Sequence, residues 1–321
     1  MSILVQKPGV LTTIQDLGRR GSRRFGVNPS GAMDLTAARL VNILVGNNDN
    51  CPVLEMHFPP SQLFFEQDAL VALGGADFDP DLNGARVQNW KPFFAGSGSS
   101  LRFNGKKHGN RCYLAVAGGM HFSKWLGSSS TNLAAKKGGI DGRAVRKGDR
   151  LSFENNSVPL FQPSTKQISA SLIPRYSRFP SVRVIAGAEM ESVSGSGMNA
   201  FLKTDFIVSR DSDRMGYRLS GRQIEYFGHY EMVSSAVNFG TVQLLPDGQL
   251  IVLMADHQTT GGYPRIAHVI SRDLPLLAQL GPNDKVAFHL ISLREAEADM
   301  VRFERDLNFL RVGCKLSATL S

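Results

Sequence analysis

Short apolar runs rich in β-branched and aromatic residues, broken every few positions by Gly, Asn, Asp or Pro, recur along almost the whole chain. This rhythm is what most limits the fold. Runs of this length suit half-buried strands, and the punctuation between them supplies turns. The predicted class is mainly β with a few short helices. Strands are expected at 63–65, 69–73, 111–116, 182–185, 206–208 and 249–254. Asp247-Gly248 separates two apolar pairs and reads as a hairpin turn, because Gly accepts a positive φ there.

Three segments carry helical spacing instead. Asp34 can cap a helix running to Val45, with Ala37, Leu40, Val41, Leu44 and Val45 on one face and Gly46 as its stop. Asp273 can cap a short helix that tolerates Pro275 in its first turn and ends at Gly281. Ser292 and Glu295 have capping-box spacing before a C-terminal helix over 296–310, with Met300, Phe303 and Leu307 facing inward.

Prolines 159, 163, 174 and 180, with many serines, make the stretch from Asn155 to Ser181 a linker. A similar ending occurs on either side of it: Gly148-Asp149-Arg150-Leu151-Ser152-Phe153 and Asn283-Asp284-Lys285-Val286-Ala287-Phe288, each a turn followed by a strand. The expected organisation is a first β domain over 1–158, a Pro/Ser-rich linker over 159–181, and a second β domain with the C-terminal helix over 182–321.

The N-terminus reads as a first strand and not as a signal peptide, and no apolar run approaches membrane-spanning length. Three widely spaced cysteines offer neither a disulfide framework nor a zinc site, so a cytoplasmic protein is expected. The net charge of +8 is spread among acids, without the aromatic interleaving or motifs of nucleic-acid binding. Small acidic ligands are the better expectation. There is no Gly-x-x-x-x-Gly-Lys-Ser/Thr phosphate loop, no His-Glu-x-x-His, no Cys-x-x-Cys and no Gly-x-Ser-x-Gly elbow. Gly96-Ser97-Gly98 and Gly195-Ser196-Gly197 read as flexible loops, and no metal site is expected.

Four polar segments are richer than folding alone requires. Gln15-Asp16-Leu17-Gly18-Arg19-Arg20-Gly21 continues through Arg24 to Ser30-Gly31-Ala32-Met33-Asp34, and either serves an anion before a helix or merely caps it. Gly127-Ser128-Ser129-Ser130-Thr131-Asn132 is either a ligand-approaching loop or an ordinary one. Ser212 to Leu219, read as a strand, would put Arg214 and Arg218 on one face as an anion clamp, with Tyr217 on the other. Last, Asp256-His257-Gln258-Thr259-Thr260-Gly261-Gly262-Tyr263-Pro264 follows an apolar strand, and its Thr-Thr-Gly-Gly could form a backbone nest for an oxyanion.

Five stretches, in order, resemble the allophanate hydrolase subunit 2 family, four of them within the polar segments above: Gln15 to Arg19 with Ser30 to Asp34; Ala115-Val116-Ala117-Gly118-Gly119; Gly127-Ser128 with Ser130-Thr131; Ser212 to Leu219; and Asp256 with Gln258 to Pro264. The resemblance covers nearly the whole chain. Asn28, Ser129 and Phe239 depart from residues frequent in relatives. It implies two cyclophilin-like β-barrel units. It also implies the role of the C component of bacterial 5-oxoprolinase, acting with subunits A and B to open 5-oxo-L-proline to glutamate at the expense of ATP. The alternatives it carries are a biotin-dependent carboxyltransferase of the urea carboxylase type, and a non-enzymatic antagonist of a kinase inhibitor. For the oxoprolinase, the expected acid/base groups are Asp256 and Asp16, and the expected anion-binding groups are Arg214 and Arg218. Tyr217 and Tyr263 would position substrate. Gln15, Arg24, Ser30, Gln258, Thr259, Thr260, Gly261 and Gly262 complete the candidate set.

Overall fold

The computed structural model describes residues 1–154, 168–228 and 232–319. Its contacts divide the chain into two units: Met1–Arg19 with Asp34–Pro174 and Phe303–Ser321, and Arg20–Met33 with Arg175–Arg302. Two excursions therefore depart from a simple split at the linker. The segment Arg20–Met33 goes with the second unit, and the end of the C-terminal helix with the first. Of the expected linker, residues 159–167 lie outside the described residues.

The first unit holds two sheets. One runs in the order Arg150–Ser152, Ser2–Lys7, Gln62–Phe65, Ser100–Phe103, Pro80–Leu82, Ala85–Arg86. The other runs Thr12–Gln15, Val53–His57, His108–Val116, Ala69–Asp77, Phe93–Ala95. Ile3, Val5, Leu54, Leu63, Phe65, Val71, Leu101, Leu114 and Leu151 point from these strands into one apolar core. Helix α1, Leu35–Leu44, starts as expected: the Asp34 carboxylate accepts the Ala37 N–H at 2.8 Å, and Gly46 follows its end at φ 79°. Val41 of α1 packs against Gly74, where an added Cβ would lie 2.7 Å from the Val41 side chain.

The second unit is a closed barrel. Its strands run Ser181–Ala186, Arg265–Val269, Thr241–Leu244, Leu250–Leu253, Gly216–Ser220, Phe206–Val208, Lys285–Leu290, and back to the first. Closure leaves no edge in the barrel sheet. Val182, Val184, Phe206, Leu219, Val242, Leu250, Val252, Ile266 and Phe288 fill the interior, with Phe201 and Phe288 stacked at 4.9 Å. The hairpin at 246–248 closes with Leu245 N–H to Gln249 O at 2.9 Å and Gly248 at φ 76°.

Three helical expectations change in detail. Helix α2, Gly195–Lys203, replaces the flexible loop expected at Gly195-Ser196-Gly197. Two glycines in a first turn hide a helix from propensity. The missed signal was Ser194, whose hydroxyl caps Gly197 N–H at 2.9 Å, while Gly197 passes so near Glu225 O that a Cβ would sit 2.4 Å from it. Asp273 precedes α3, Leu274–Ala278, without capping it; its carboxylate instead takes three hydrogen bonds from Arg183, including the backbone N–H at 2.7 Å. Helix α4 runs over Leu293–Thr319, far past 310, and begins with the expected reciprocal box: Ser292 N–H to Glu295 at 2.8 Å and Glu295 N–H to Ser292 Oγ at 3.2 Å.

Candidate functional site

The candidate residues fall into two clusters, one in each unit. In the first unit, Asp16 emerges at the end of the strand Thr12–Gln15 and is buried. Its Oδ1 accepts Gly18 N–H at 2.8 Å and the hydroxyls of Ser128 at 2.6 Å and Ser130 at 2.5 Å, and its Oδ2 accepts Ser129 N–H at 2.7 Å. Hydrogen bonds to a charged group contribute about 1.5–3 kcal/mol each, so three donors on Oδ1 and one on Oδ2 make Asp16 the hub that folds the triple-serine loop. Any acid/base role for Asp16 would fall to Oδ2, which takes a single donor. Arg19 is equally buried, donates to Ser130 O and lies 4.7 Å over the Trp125 ring. Gln15 donates to Thr13 Oγ1 at 3.0 Å and Thr131 O at 3.3 Å, while its Oε1 is sealed in without a hydrogen bond.

The second unit builds a different cluster. Arg214 is buried to 8 % exposure. Its Nε lies 2.8 Å from Asp256 Oδ2, and its Nη2 donates to Asp256 Oδ1 at 3.3 Å and to Gly31 O at 2.6 Å. Ser30 Oγ donates to the same Asp256 Oδ1 at 2.6 Å, and Asn28 Nδ2 donates to the Asp256 carbonyl at 2.8 Å. The main chain supports this: Asp256 N–H bonds to Arg214 O at 2.8 Å, just past the paired strands Gly216–Ser220 and Leu250–Leu253. Ser30 and Gly31 both have positive φ, 56° and 100°. A serine held there costs on the order of 1 kcal/mol, so the surrounding contacts must fix it. The result is a carboxylate clamped by one guanidinium with a serine hydroxyl aimed at it.

Three further expectations are revised. The strand carrying Tyr217 begins only at Gly216, so the alternation extrapolated back to Arg214 does not hold. Arg214 is spent on Asp256 and Gly31, whereas Arg218 is exposed, and the two do not form an anion clamp. Tyr217 faces the barrel core at 2 % exposure with its hydroxyl 3.4 Å from Leu280 O, so it positions the fold and not a substrate. The Thr-Thr-Gly-Gly stretch is not a nest. Thr260–Gly261 is a short strand paired with Ser235–Ala236, and neither Gly261 nor Gly262 adopts the positive φ a nest alternates with.

Of the remaining candidates, Gln258 and Thr260 are exposed, Thr259 and Gly262 are half-buried, and Tyr263 is 39 % exposed. Arg24 is exposed and stacks on the exposed Phe25 at 4.7 Å. Sequence reasoning missed Asn28, whose amide holds the Asp256 backbone, and Arg23, which donates to Asn238 Oδ1 and Val237 O. No spacing rule could have found either contact, since both join residues more than two hundred positions apart. Among the described residues, no helix is long and apolar enough to cross a membrane.

Comparison with known proteins matches this arrangement to one family. Residues 25–290 fit the model of the carboxyltransferase domain, subdomain A and B. The chain is 38 % identical to the C component of the Haemophilus influenzae 5-oxoprolinase, over 88 % of this chain and 89 % of that one. It is 37 % identical to the corresponding 5-oxoprolinase component of Escherichia coli, over 90 % and 91 %. The crystal structure of the K. lactis urea amidolyase superposes with a TM-score of 0.89 at 27 % identity, covering 96 % of this chain but only 20 % of that much longer one. The chain belongs to the carboxyltransferase domain family, subdomains A and B, and its similarity to the 5-oxoprolinase and urea amidolyase relatives extends along nearly its whole length.

Proposed function

We propose that the chain is the C component of an ATP-dependent 5-oxoprolinase, which with subunits A and B hydrolyses 5-oxo-L-proline to L-glutamate in the cytoplasm. The observation that carries the reading is the end-to-end similarity to two such components, 38 % and 37 % identical over about nine-tenths of both partners in each match. The chemistry asks for ATP to phosphorylate the lactam oxygen, turning a stable amide into an electrophile that water attacks. Charge developing on oxygen then has to be stabilised, and protons moved. In this reading Asp256 is the acid/base group. Arg214 orients it, and the Ser30 hydroxyl shares its Oδ1. Gln258, Thr259, Thr260 and Tyr263 contact the small acidic substrate, and ATP is held with residues of the partner subunits.

One observation favours a second reading. The family model is that of a carboxyltransferase domain, and the urea amidolyase superposes over 96 % of the chain. A carboxyltransferase would move a carboxyl group between carboxybiotin and an acceptor amide, using the same Asp256–Arg214 pair. Reconstituting the chain with its co-purifying partners distinguishes the two. Turnover of 5-oxoproline and ATP that is indifferent to bicarbonate and to avidin supports the oxoprolinase. Turnover that requires bicarbonate and is blocked by avidin supports the carboxyltransferase.

A further inference from the structure

Two successive residues, Ser30 and Gly31, hold positive φ, 56° and 100°. Glycine takes such a conformation freely and serine only at a cost, so what position 30 gains over glycine is a hydroxyl. That hydroxyl donates to Asp256 Oδ1 at 2.6 Å, within the range of about 2.5–2.7 Å for an O–H donor on an ionised carboxylate. The carboxylate is held in turn. Arg214 Nε lies 2.8 Å from Oδ2, and Arg214 Nη2 donates both to Oδ1 at 3.3 Å and to the carbonyl of Gly31 at 2.6 Å. One guanidinium therefore fixes the carboxylate and also the main chain beside the serine that faces it.

A hydroxyl is a weak nucleophile until a base takes its proton, and the arrangement that achieves this is a hydroxyl within reach of a base that a third group orients. Ser30, Asp256 and Arg214 stand in that relation, each joined to the next by a hydrogen bond. The group meets solvent over a small area. Ser30 keeps 6 % exposure and the Asp256 side chain 13 %, while Met215 and Gln258, close to Arg214 and Asp256 in the chain, are exposed. The reading above gives the hydroxyl only a share in Asp256 Oδ1 and no bond to make.

We propose that Ser30 is a covalent nucleophile that takes an acyl group from an acyl phosphate, with Asp256 as its base and Arg214 as the residue that positions both. This deepens the proposed function and rests on its assignment of Asp256. In the 5-oxoproline reaction the acyl phosphate is the γ-carboxyl phosphate left once water has opened the phosphorylated ring. Ser30 Oγ bonds to the acyl carbon as the bond from that carbon to the phosphate oxygen breaks. Phosphate leaves with the electron pair, and the serine proton passes to Asp256 Oδ1. Water then attacks the ester carbon and the bond to Oγ breaks. Asp256 returns its proton to Oγ, and the new carboxylic acid gives its own to solvent.

The test incubates the full chain with acetyl phosphate and follows phosphate release over the buffer blank. Acid-quenched peptides are then mapped for an acetyl ester, which hydroxylamine removes while leaving acetylated lysines intact. The expected result is release faster than the blank, with the ester on Ser30. Ser30→Ala should abolish both, and Ser30→Cys, which keeps a nucleophile in place, should restore the mark as a thioester. Asp256→Asn should slow release by a factor of about a hundred or more. The map reads the wild-type chain, so it decides even where a variant does not fold. A wild-type rate equal to the blank overturns the proposal. So does an ester that maps elsewhere, or a folded Ser30→Ala that releases phosphate at the wild-type rate. Oxoprolinase turnover kept in Ser30→Ala would sink the nucleophile and spare the oxoprolinase. An ester on Ser30 in a chain that supports no oxoprolinase with its partners would do the reverse.

Discussion

Replacing Arg214 by Met removes the guanidinium while keeping much of its apolar stem. Three contacts go at once: both to Asp256 and the one to Gly31 O at 2.6 Å. The side chains of the pair are 9 % and 13 % exposed, so solvent does little to replace what is lost. Removing one partner of a buried pair leaves the other charge uncompensated, at about 3–5 kcal/mol. Ser30 and Asn28 still hold Asp256, which puts the cost toward the lower end, about 3 kcal/mol. For a unit of this size that corresponds to a fall in Tm of roughly 6–12 °C. The assay is a double-mutant cycle by urea and thermal unfolding, with Arg214→Met, Asp256→Asn and the double variant. The double variant should cost little more than either single change, because once the pair is broken its second half has little left to lose. Additive costs, or a loss below about 0.5 kcal/mol for Arg214→Met, would refute the reasoning, since about 0.5 kcal/mol is what an exposed ion pair is worth.

Ser30 separates backbone from hydroxyl. Ser30→Gly relieves the positive φ of 56°, while Ser30→Ala keeps it, so the Gly variant should be about 1 kcal/mol more stable than the Ala variant in a urea titration, although both lose the bond to Asp256. Arg39 bridges Asp49 at 2.9 Å and Glu304 at 2.6 Å, and Arg311 reaches Asp49 at 2.6 Å, a network that ties α4 to α1 within the first unit. Arg39→Ala should cost about 1–2 kcal/mol and raise amide exchange around Phe303 and Leu307; unchanged protection there would mean that burial of those two residues suffices. Stability should also fall on mild acidification. Burial pushes the pKa of His257 and His268 below the ordinary 6.5, so the folded chain binds fewer protons than the unfolded one as pH drops below that value. Their contribution is complete above pH 6.5 and is lost below it, well before carboxylates such as Glu189 titrate; a Tm equal at about pH 7.5 and about pH 5.5 would contradict it.

The β rhythm, the 34–46 helix with its cap and stop, the hairpin at Gly248 and the Ser292–Glu295 box were legible because each depends on neighbours in sequence. The face taken by Arg214 was misread for a related reason. Alternation assigns faces only inside a strand, and this strand starts two residues after Arg214. The role of Asp16 could not be read from its own segment, because its four donors include residues more than a hundred positions away. The same holds for Ser30 and Asn28 against Asp256. The motif residues were found, but their division into a loop-folding carboxylate in one unit and a clamped carboxylate in the other required the fold. Thr260 and Gly261 failed as a nest because their main chain is spent on Ser235 and Ala236, a pairing that composition cannot show.

The proposed function makes this chain a required part of a 5-oxoprolinase. The most direct measurement purifies the tagged chain with its native partners and follows glutamate and ADP from 5-oxoproline and ATP, without biotin or bicarbonate. The chain is then stripped away and added back. The account expects both products, loss of both on removal, and recovery on return of the wild-type chain but not of Asp256→Asn. Glutamate and ADP formed at an undiminished rate without this chain would contradict it.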